Sequence, residues 1–327
     1  MSTLSEFATD DRTARVALSL VGTPNDPTTG RLLEQVGAVE LIKLVGMDGS
    51  VPGMDDVATA VWRDRMRSAT TPESLATRIS DARSFRVIIP SDPDWPAALN
   101  DLGDRTPYAL WAKGRTELLS TPISQRVTIT GARAATSYGA HVTEELCDDL
   151  TTSGKTLVAG AAYGIDGSVH QAALRRGGDT IAVLASGIDR PYPMGHADLL
   201  ERVGNRGLTI SEVPPGTAPT RQRFLDRARI LGALSGTTVV VEAGARSGTL
   251  RIAQEAAELG RRVGAVPGPV TSAASAGANS LLQQGMARVV TNGHDVIDLE
   301  VQNRSAPERM SIHQGAPRVA SQHSRVL

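Results

Sequence analysis

Aromatic side chains are scarce in this sequence: Phe, Trp and Tyr together make up 3% of its 327 residues. A core must then be assembled from Ala, Val, Leu and Ile, which suits a buried parallel sheet covered by helices. Cysteine is nearly absent. The single Cys147 excludes an internal disulfide and a Cys-based zinc site. Its place between Leu146 and Leu150 in a helical pattern reads as a small core thiol. No apolar run reaches the length of a membrane span. The opening stretch to Asp11 carries Glu6, Asp10 and Asp11 with no apolar segment, so it does not read as a signal peptide. A cytoplasmic protein without a membrane partner is expected. Excess charge is missing too. The formal net charge of -1 excludes a chain basic throughout but leaves room for a local basic patch. The six histidines are scattered without metal-ligand spacing. There is no Walker A sequence, no Gly-x-Ser-x-Gly elbow and no Gly-x-Gly-x-x-Gly after a strand. No metal, cofactor or catalytic residue is expected, and the protein reads as a non-enzyme.

What is present divides into an N-terminal helical domain (1–82), a connector (83–125), a domain of alternating strand and helix patterns (126–300) and a disordered tail (301–327). In the first, Thr28 and Thr29 are candidate caps for a helix through Leu32, Leu33 and Val36 that Gly37 ends. Further helices are expected at Ala38–Val45, Asp55–Met66 and Pro72–Ala82, a SAM/helix-hairpin-helix-like unit. The connector holds one strand at Phe85–Ile89. Prolines at 90, 93 and 96 then forbid regular helix, and Trp95 and Trp111 read as packing residues. From 126 onward, strand-like runs at Val127–Thr130, Thr156–Ala159, Thr180–Leu184, Leu208–Ser211, Thr238–Val241, Arg262–Val266 and Arg288–Val290 alternate with helical patterns. That βαβ rhythm predicts an α/β fold with a doubly wound, mostly parallel sheet. The tail, rich in Ser, Arg, Gln and Pro, has no apolar period.

Ligands of such sheets bind beyond the carboxyl ends of the strands. Three Gly-rich turns fall there: Gly131-Ala132-Arg133, Gly160 through Gly164-Ile165-Asp166, and Ser247-Gly248-Thr249. Each opens a helix whose first N–H groups favour an anion. Asp166 reads as a helix cap, with ligand contact as the alternative. His170, four residues on, reads as a structural hydrogen-bonding residue, with acid–base work as the alternative. Between the fourth and fifth of these strands, Arg221, Arg223, Arg227 and Arg229 stand against one acid, Asp226, with Phe224 among them. Cations that track phosphates beside an aromatic that stacks on bases are the chemistry of single-strand binding; the alternative is a solvated helix face with Phe224 turned into the core.

Taken in order, these motifs resemble the DprA/Smf (DNA processing protein A) family. The likeness runs through Trp95-Pro96, Pro107-Tyr108-Ala109-Leu110-Trp111, Gly131-x-Arg133, Gly164-Ile165-Asp166 with His170, Tyr192-Pro193, Ser211-Glu212, Phe224 with Arg227-x-Arg229, Glu242 with Ser247-Gly248-Thr249, and Pro267-Gly268 with Asn279. The resemblance implies an extended Rossmann-like core that dimerises, protects single-stranded DNA and loads the RecA recombinase during transformation or recombination. It implies that Arg133 holds phosphate, that Arg221 and Phe224 line the strand's path, and that Arg227 and Arg229 complete a basic pocket. Gly131, Gly160, Gly164, Arg223, Ser247, Gly248, Thr249 and Asn279 complete the candidate DNA-binding set. Ala132, Ala159, Leu225 and Ala228 depart from the family pattern, and the three alanines remove polar groups near the site. The alternative is a nucleotide-binding or phosphoribohydrolase-like enzyme of the lysine-decarboxylase-like group. That reading lacks the double Gly of the group's loop at Gly244-Ala245 and places Glu255 too far along.

Overall fold

The computed structural model describes residues 6, 8–68, 77–80 and 84–301, apart from the side chains of 300 and 301. All but the first residue of the expected tail, and most of the expected helix Pro72–Ala82, lie outside the described residues.

Near the N-terminus, helices Asp11–Val21, Pro27–Val36, Ala38–Gly46 and Asp56–Ser68 turn their apolar stripes inward. Leu18, Leu41, Ile42 and Trp62 are buried at their centre. The second helix is not capped by Thr28 or Thr29. Asp26 caps it, accepting the Thr28 N–H at 3.3 Å and the Thr29 hydroxyl at 2.6 Å, with Pro27 at the first helical position. Proline lacks the N–H that this position would leave unpaired, so a carboxylate directly ahead of it is the favourable arrangement. Tyr108 enters this cluster from the far side of the chain and donates its hydroxyl to the Thr23 carbonyl at 3.0 Å.

The rest is built on one nine-stranded sheet in the order β1-β2-β6-β5-β4-β3-β7-β8-β9. The strands are β1 Arg86–Ile88, β2 Leu110–Gly114, β3 Arg126–Thr130, β4 Thr156–Ala159, β5 Thr180–Leu184, β6 Leu208–Ser211, β7 Thr237–Val240, β8 Arg262–Ala265 and β9 Arg288–Val289. Six of the eight pairings are parallel. Only β1 with β2 and β2 with β6 run antiparallel. The stretch set apart as a connector therefore supplies one edge of the sheet. The run Leu110-Trp111-Ala112 is buried, and a buried backbone needs ladder partners, which β6 provides through Trp111 opposite Ser211.

Helices cover both faces. Ser137–Thr152, Ile165–Arg176 and Gly293–Val301 pack on one face; Arg221–Ala233 and Thr249–Glu258 pack on the other. The architecture is the extended, doubly wound Rossmann-like sheet expected from the strand–helix rhythm. From β3 the chain steps outward through β4, β5 and β6. It then crosses back by the helix Arg221–Ala233 and adds β7 on the other side of β3. Between β3 and β7 the winding reverses, and a crevice opens beyond their carboxyl ends.

Candidate nucleic-acid interface

A cleft of about 360 Å³ lies at that reversal. It is walled by Gly131, Ala132 and Arg133 after β3, by Ala162 and Asp166 after β4, by Phe224 and Arg227 from the crossover helix, and by Ser247, Gly248 and Thr249 after β7. Segments from four separate places in the chain thus meet at one rim.

Phe224 organises the cleft. The Arg133 guanidinium carbon sits 4.7 Å from its ring centroid and that of Arg227 5.1 Å away. Tyr192 meets the ring edge-on, with centroids 5.7 Å apart. Two cations and two aromatics gather within stacking distance, each cation held partly by the ring's quadrupole. Arg133 is exposed, whereas Arg227 is buried and donates to the carbonyls of Gly160 and Val183. Burial and the neighbouring Arg133 charge pull the Arg227 pKa down to about 10, opposed by Asp166. Asp166 is buried beside it, accepting the Thr130 hydroxyl at 2.9 Å and the Ala162 N–H at 3.4 Å. Burial drives its carboxyl above the ordinary aspartate range, opposed first by Arg227. The cleft floor therefore sets a buried acid and a buried cation, coupled through their charges and each held by its own hydrogen bonds, under the exposed Arg133. None of the salt bridges among the described residues uses Arg133, Arg221 or Arg223.

The rim is braced from below. Glu242, buried at the end of β7, accepts the Thr136 N–H at 3.0 Å and its hydroxyl at 2.6 Å. This fixes the loop that carries Arg133 at the point where Thr136 caps the helix Ser137–Thr152. Thr249 donates its hydroxyl to the Gly131 carbonyl at 3.0 Å, tying the β7 turn to the β3 turn. Gly164 has φ +73°, and a Cβ there would lie 2.2 Å from the Ala132 carbonyl oxygen. Only glycine lets the β4 turn lie against the Arg133 loop. At Gly160 a Cβ would stand 2.5 Å from the Arg227 guanidinium.

The cleft thus brings together Gly131, Arg133, Phe224, Arg227, Ser247, Gly248 and Thr249, with Gly160 and Gly164 directly behind them. Other expected residues stand elsewhere. Arg229 does not reach the rim: it is 1% exposed and forms a two-pronged ion pair with Glu212. It lies two residues past Arg227, about 200° around the helix, and so faces away. Asn279 is spent on Gly268, accepting its N–H at 3.1 Å and donating to its carbonyl at 2.9 Å. Arg221 is exposed on the first helical turn without lining the cleft, and Arg223 lines two neighbouring depressions. Asp166 is not a helix cap. Gly164 occupies that position, and the Asp166 carboxylate turns back to the Ala162 amide before the helix. His170 is buried with Nδ1 2.8 Å from the Thr180 hydroxyl, the structural arrangement rather than the acid–base one. Glu255 is drawn off by Arg105 and Arg251.

Three aromatic residues at the rim stood outside the expected DNA-binding set, although Tyr192 belongs to a matching motif. Tyr138, Tyr163 and Tyr192 are 42%, 48% and 43% exposed, at the chain ends leaving β3, β4 and β5. Of the four tyrosines in the protein, these three follow adjacent strands of the sheet. The signal was their position after successive strands. Among the described residues no helix is long and apolar enough to cross a membrane, and no group of His, Cys, Asp and Glu could hold a metal ion.

Residues 86–300 match the family model described as DNA recombination-mediator protein A. A Mycobacterium tuberculosis protein provisionally named DNA processing protein DprA is 42% identical over 300 residues, which span 88% of this chain and 75% of that protein. The crystal structure of DNA processing protein A from Streptococcus pneumoniae superimposes with a TM-score of 0.72 at 31% identity, over 86% of this chain and 95% of that one. The Helicobacter pylori protein, whose structure describes a single-stranded DNA binding mode, superimposes with a TM-score of 0.60 at 28% identity, over 67% of this chain and 97% of that one.

Proposed function

The chain belongs to the DNA recombination-mediator protein A family, and from that premise we propose that it is a non-catalytic protein that binds single-stranded DNA across the β3–β7 cleft. The observation that carries this reading is the convergence of Arg133, from the turn after β3, with Phe224 and Arg227, from the crossover helix, onto one crevice. Arg133 offers an unpaired planar donor fork to a phosphate. Phe224 and the exposed tyrosines offer faces to bases, a mode tolerant of sequence. Asp166 is the one acid lining the cleft, and its oxygens are engaged by Thr130, Ala162 and the Arg227 charge. That leaves no free general base or nucleophile pair, which supports a binder over an enzyme. In this reading residues 126–300 carry the DNA surface. The protein works in the cytoplasm as a homodimer, shields incoming or exposed single strands and delivers them to the RecA recombinase.

The test is a salt-titrated gel shift with oligo-dT and duplex DNA. Single strands should be preferred, and their binding should weaken steeply with salt. The double variant Arg133→Glu/Phe224→Ala removes one phosphate contact and one stacking face, each worth about 1–3 kcal/mol. Unchanged affinity in a folded double variant would remove this site from consideration.

A further inference from the structure

A second, larger cleft of about 680 Å³ opens where the N-terminal helices meet the sheet. Its walls include Leu20, Arg78, Phe85, Pro215 and Arg223. Two guanidinium groups share it. Arg78 is half-buried and donates to the Leu20 carbonyl at 3.2 Å; Arg223 is half-buried and donates to the Ala218 carbonyl. Neither enters a salt bridge among the described residues. Burial and the positive Arg223 beside it both lower the Arg78 pKa. The acid in the lining, Asp189, already accepts the Gly216 N–H at 2.8 Å. Two like charges held together in a partly desolvated space disfavour one another unless an anion joins them.

The setting repeats the chemistry of the rim. Of the three phenylalanines in the chain, Phe224 lines the first cleft and Phe85 the second, each next to arginines. The two clefts are also linked. Arg227 lines the rim cleft and a small depression beside it, and Arg223 lines that same depression and the second cleft. Arg133, Arg227, Arg223 and Arg78 thus line adjoining depressions from the switch point to the seam; the small depression that Arg223 and Arg227 share is also lined by Glu212, paired with Arg229, and by Asp226, which accepts from Asn25 and Gln222.

We propose that the Arg78–Arg223 cleft is a second phosphate subsite for the same single strand, so that a polynucleotide leaving the rim continues onto the seam between the helical unit and the sheet. This rests on the reading of the rim as a single-strand site.

The test compares the full chain with Arg78→Gln/Arg223→Gln by fluorescence anisotropy on short (about 6-nucleotide) and long (about 25-nucleotide) oligo-dT, bracketing common single-strand site sizes. The short oligomer should bind both proteins equally. The long one should bind the variant about tenfold more weakly, and the slope of log affinity against log salt should fall by about 1.4, two phosphates at about 0.7 each. Arg223→Gln alone, on the first turn of its helix, should give about half that slope change, and it keeps the test valid if Arg78 proves necessary for folding. Long-oligomer affinity unchanged in a folded variant overturns the inference, as does an equal loss at both lengths. A wild-type chain that binds neither length overturns the rim reading and this inference together. A wild-type chain that loses binding through Arg133→Glu/Phe224→Ala yet ignores the seam variants overturns this inference alone.

Discussion

Acidification below about pH 6.5 should destabilise this protein through His170. The Thr180 hydroxyl donates to the Leu157 carbonyl at 3.0 Å, so its one hydrogen is spent. It can only accept from His170, whose Nδ1 must carry the proton at 2.8 Å. Nε2 is buried without a partner. A second proton there would create a buried N–H with no acceptor. Burial, reinforced by the charges of His196 and Arg227, pushes the pKa down to about 3. A folded-state pKa below the unfolded value, about 6.5, means that the native state binds fewer protons. The stabilisation is whole above about pH 6.5 and drains away as pH falls toward 3. At about 1.4 kcal/mol per unit, roughly 2 kcal/mol is gone by pH 5. Urea unfolding of wild type and His170→Asn at about pH 7.5 and pH 5 isolates the effect, because the amide can still donate to Thr180 but does not titrate. The carboxylates held low by partners, such as Asp92 and Asp148, lose their contribution only below about pH 4 and stay outside this window. Wild type should lose about 2 kcal/mol more than the variant between the two conditions. Equal losses would refute the tautomer argument and the buried, neutral state of the ring.

Two further outcomes follow from the cleft floor. Arg227→Leu strands the buried Asp166 carboxylate and should cost about 3–5 kcal/mol in chemical denaturation. Asp166→Asn in the same chain should recover part of that loss, giving a coupling energy in a double-mutant cycle. Because burial raises the Asp166 pKa in the folded state, the native state binds the extra proton, and the deficit of Arg227→Leu should shrink as pH falls toward about 4. Gly164→Ala must hold φ +73° and clash with the Ala132 carbonyl, so its Tm should fall further than that of Gly154→Ala. Gly154 shares that φ with nothing within 4 Å, and strain alone costs it about 1 kcal/mol. Equal drops in Tm would show that the two turns do not touch.

Much of the fold was legible in the chain because local rules agreed. Runs of Val, Ile and Thr separated by Gly-punctuated helices require buried parallel strands, and the strand runs read from residue 126 onward correspond to β3 through β9. The family was legible because motifs in a fixed order are far more specific than any one of them. The antiparallel edge was not. Leu110–Gly114 is too short to declare its partner, and β6 lies about a hundred residues away. The site was legible in part. Arg133 and Phe224 were placed correctly at the ends of their elements, and strand-end glycines marked the rim.

What the linear order could not supply was direction. Arg227 and Arg229 look alike in a basic run, yet helical rotation sends one under the cleft and the other into an ion pair with Glu212. Asn279 looks like a ligand residue until Gly268 is found within its reach. The three rim tyrosines follow adjacent strands only once β3, β4 and β5 lie side by side. Composition and periodicity determined the layers, because which positions of a helix or strand are apolar is written in the local order of residues. Which cations stay free for a polyanion was decided by packing, because a guanidinium pairs with whatever acid or carbonyl the folded chain brings within about 3 Å.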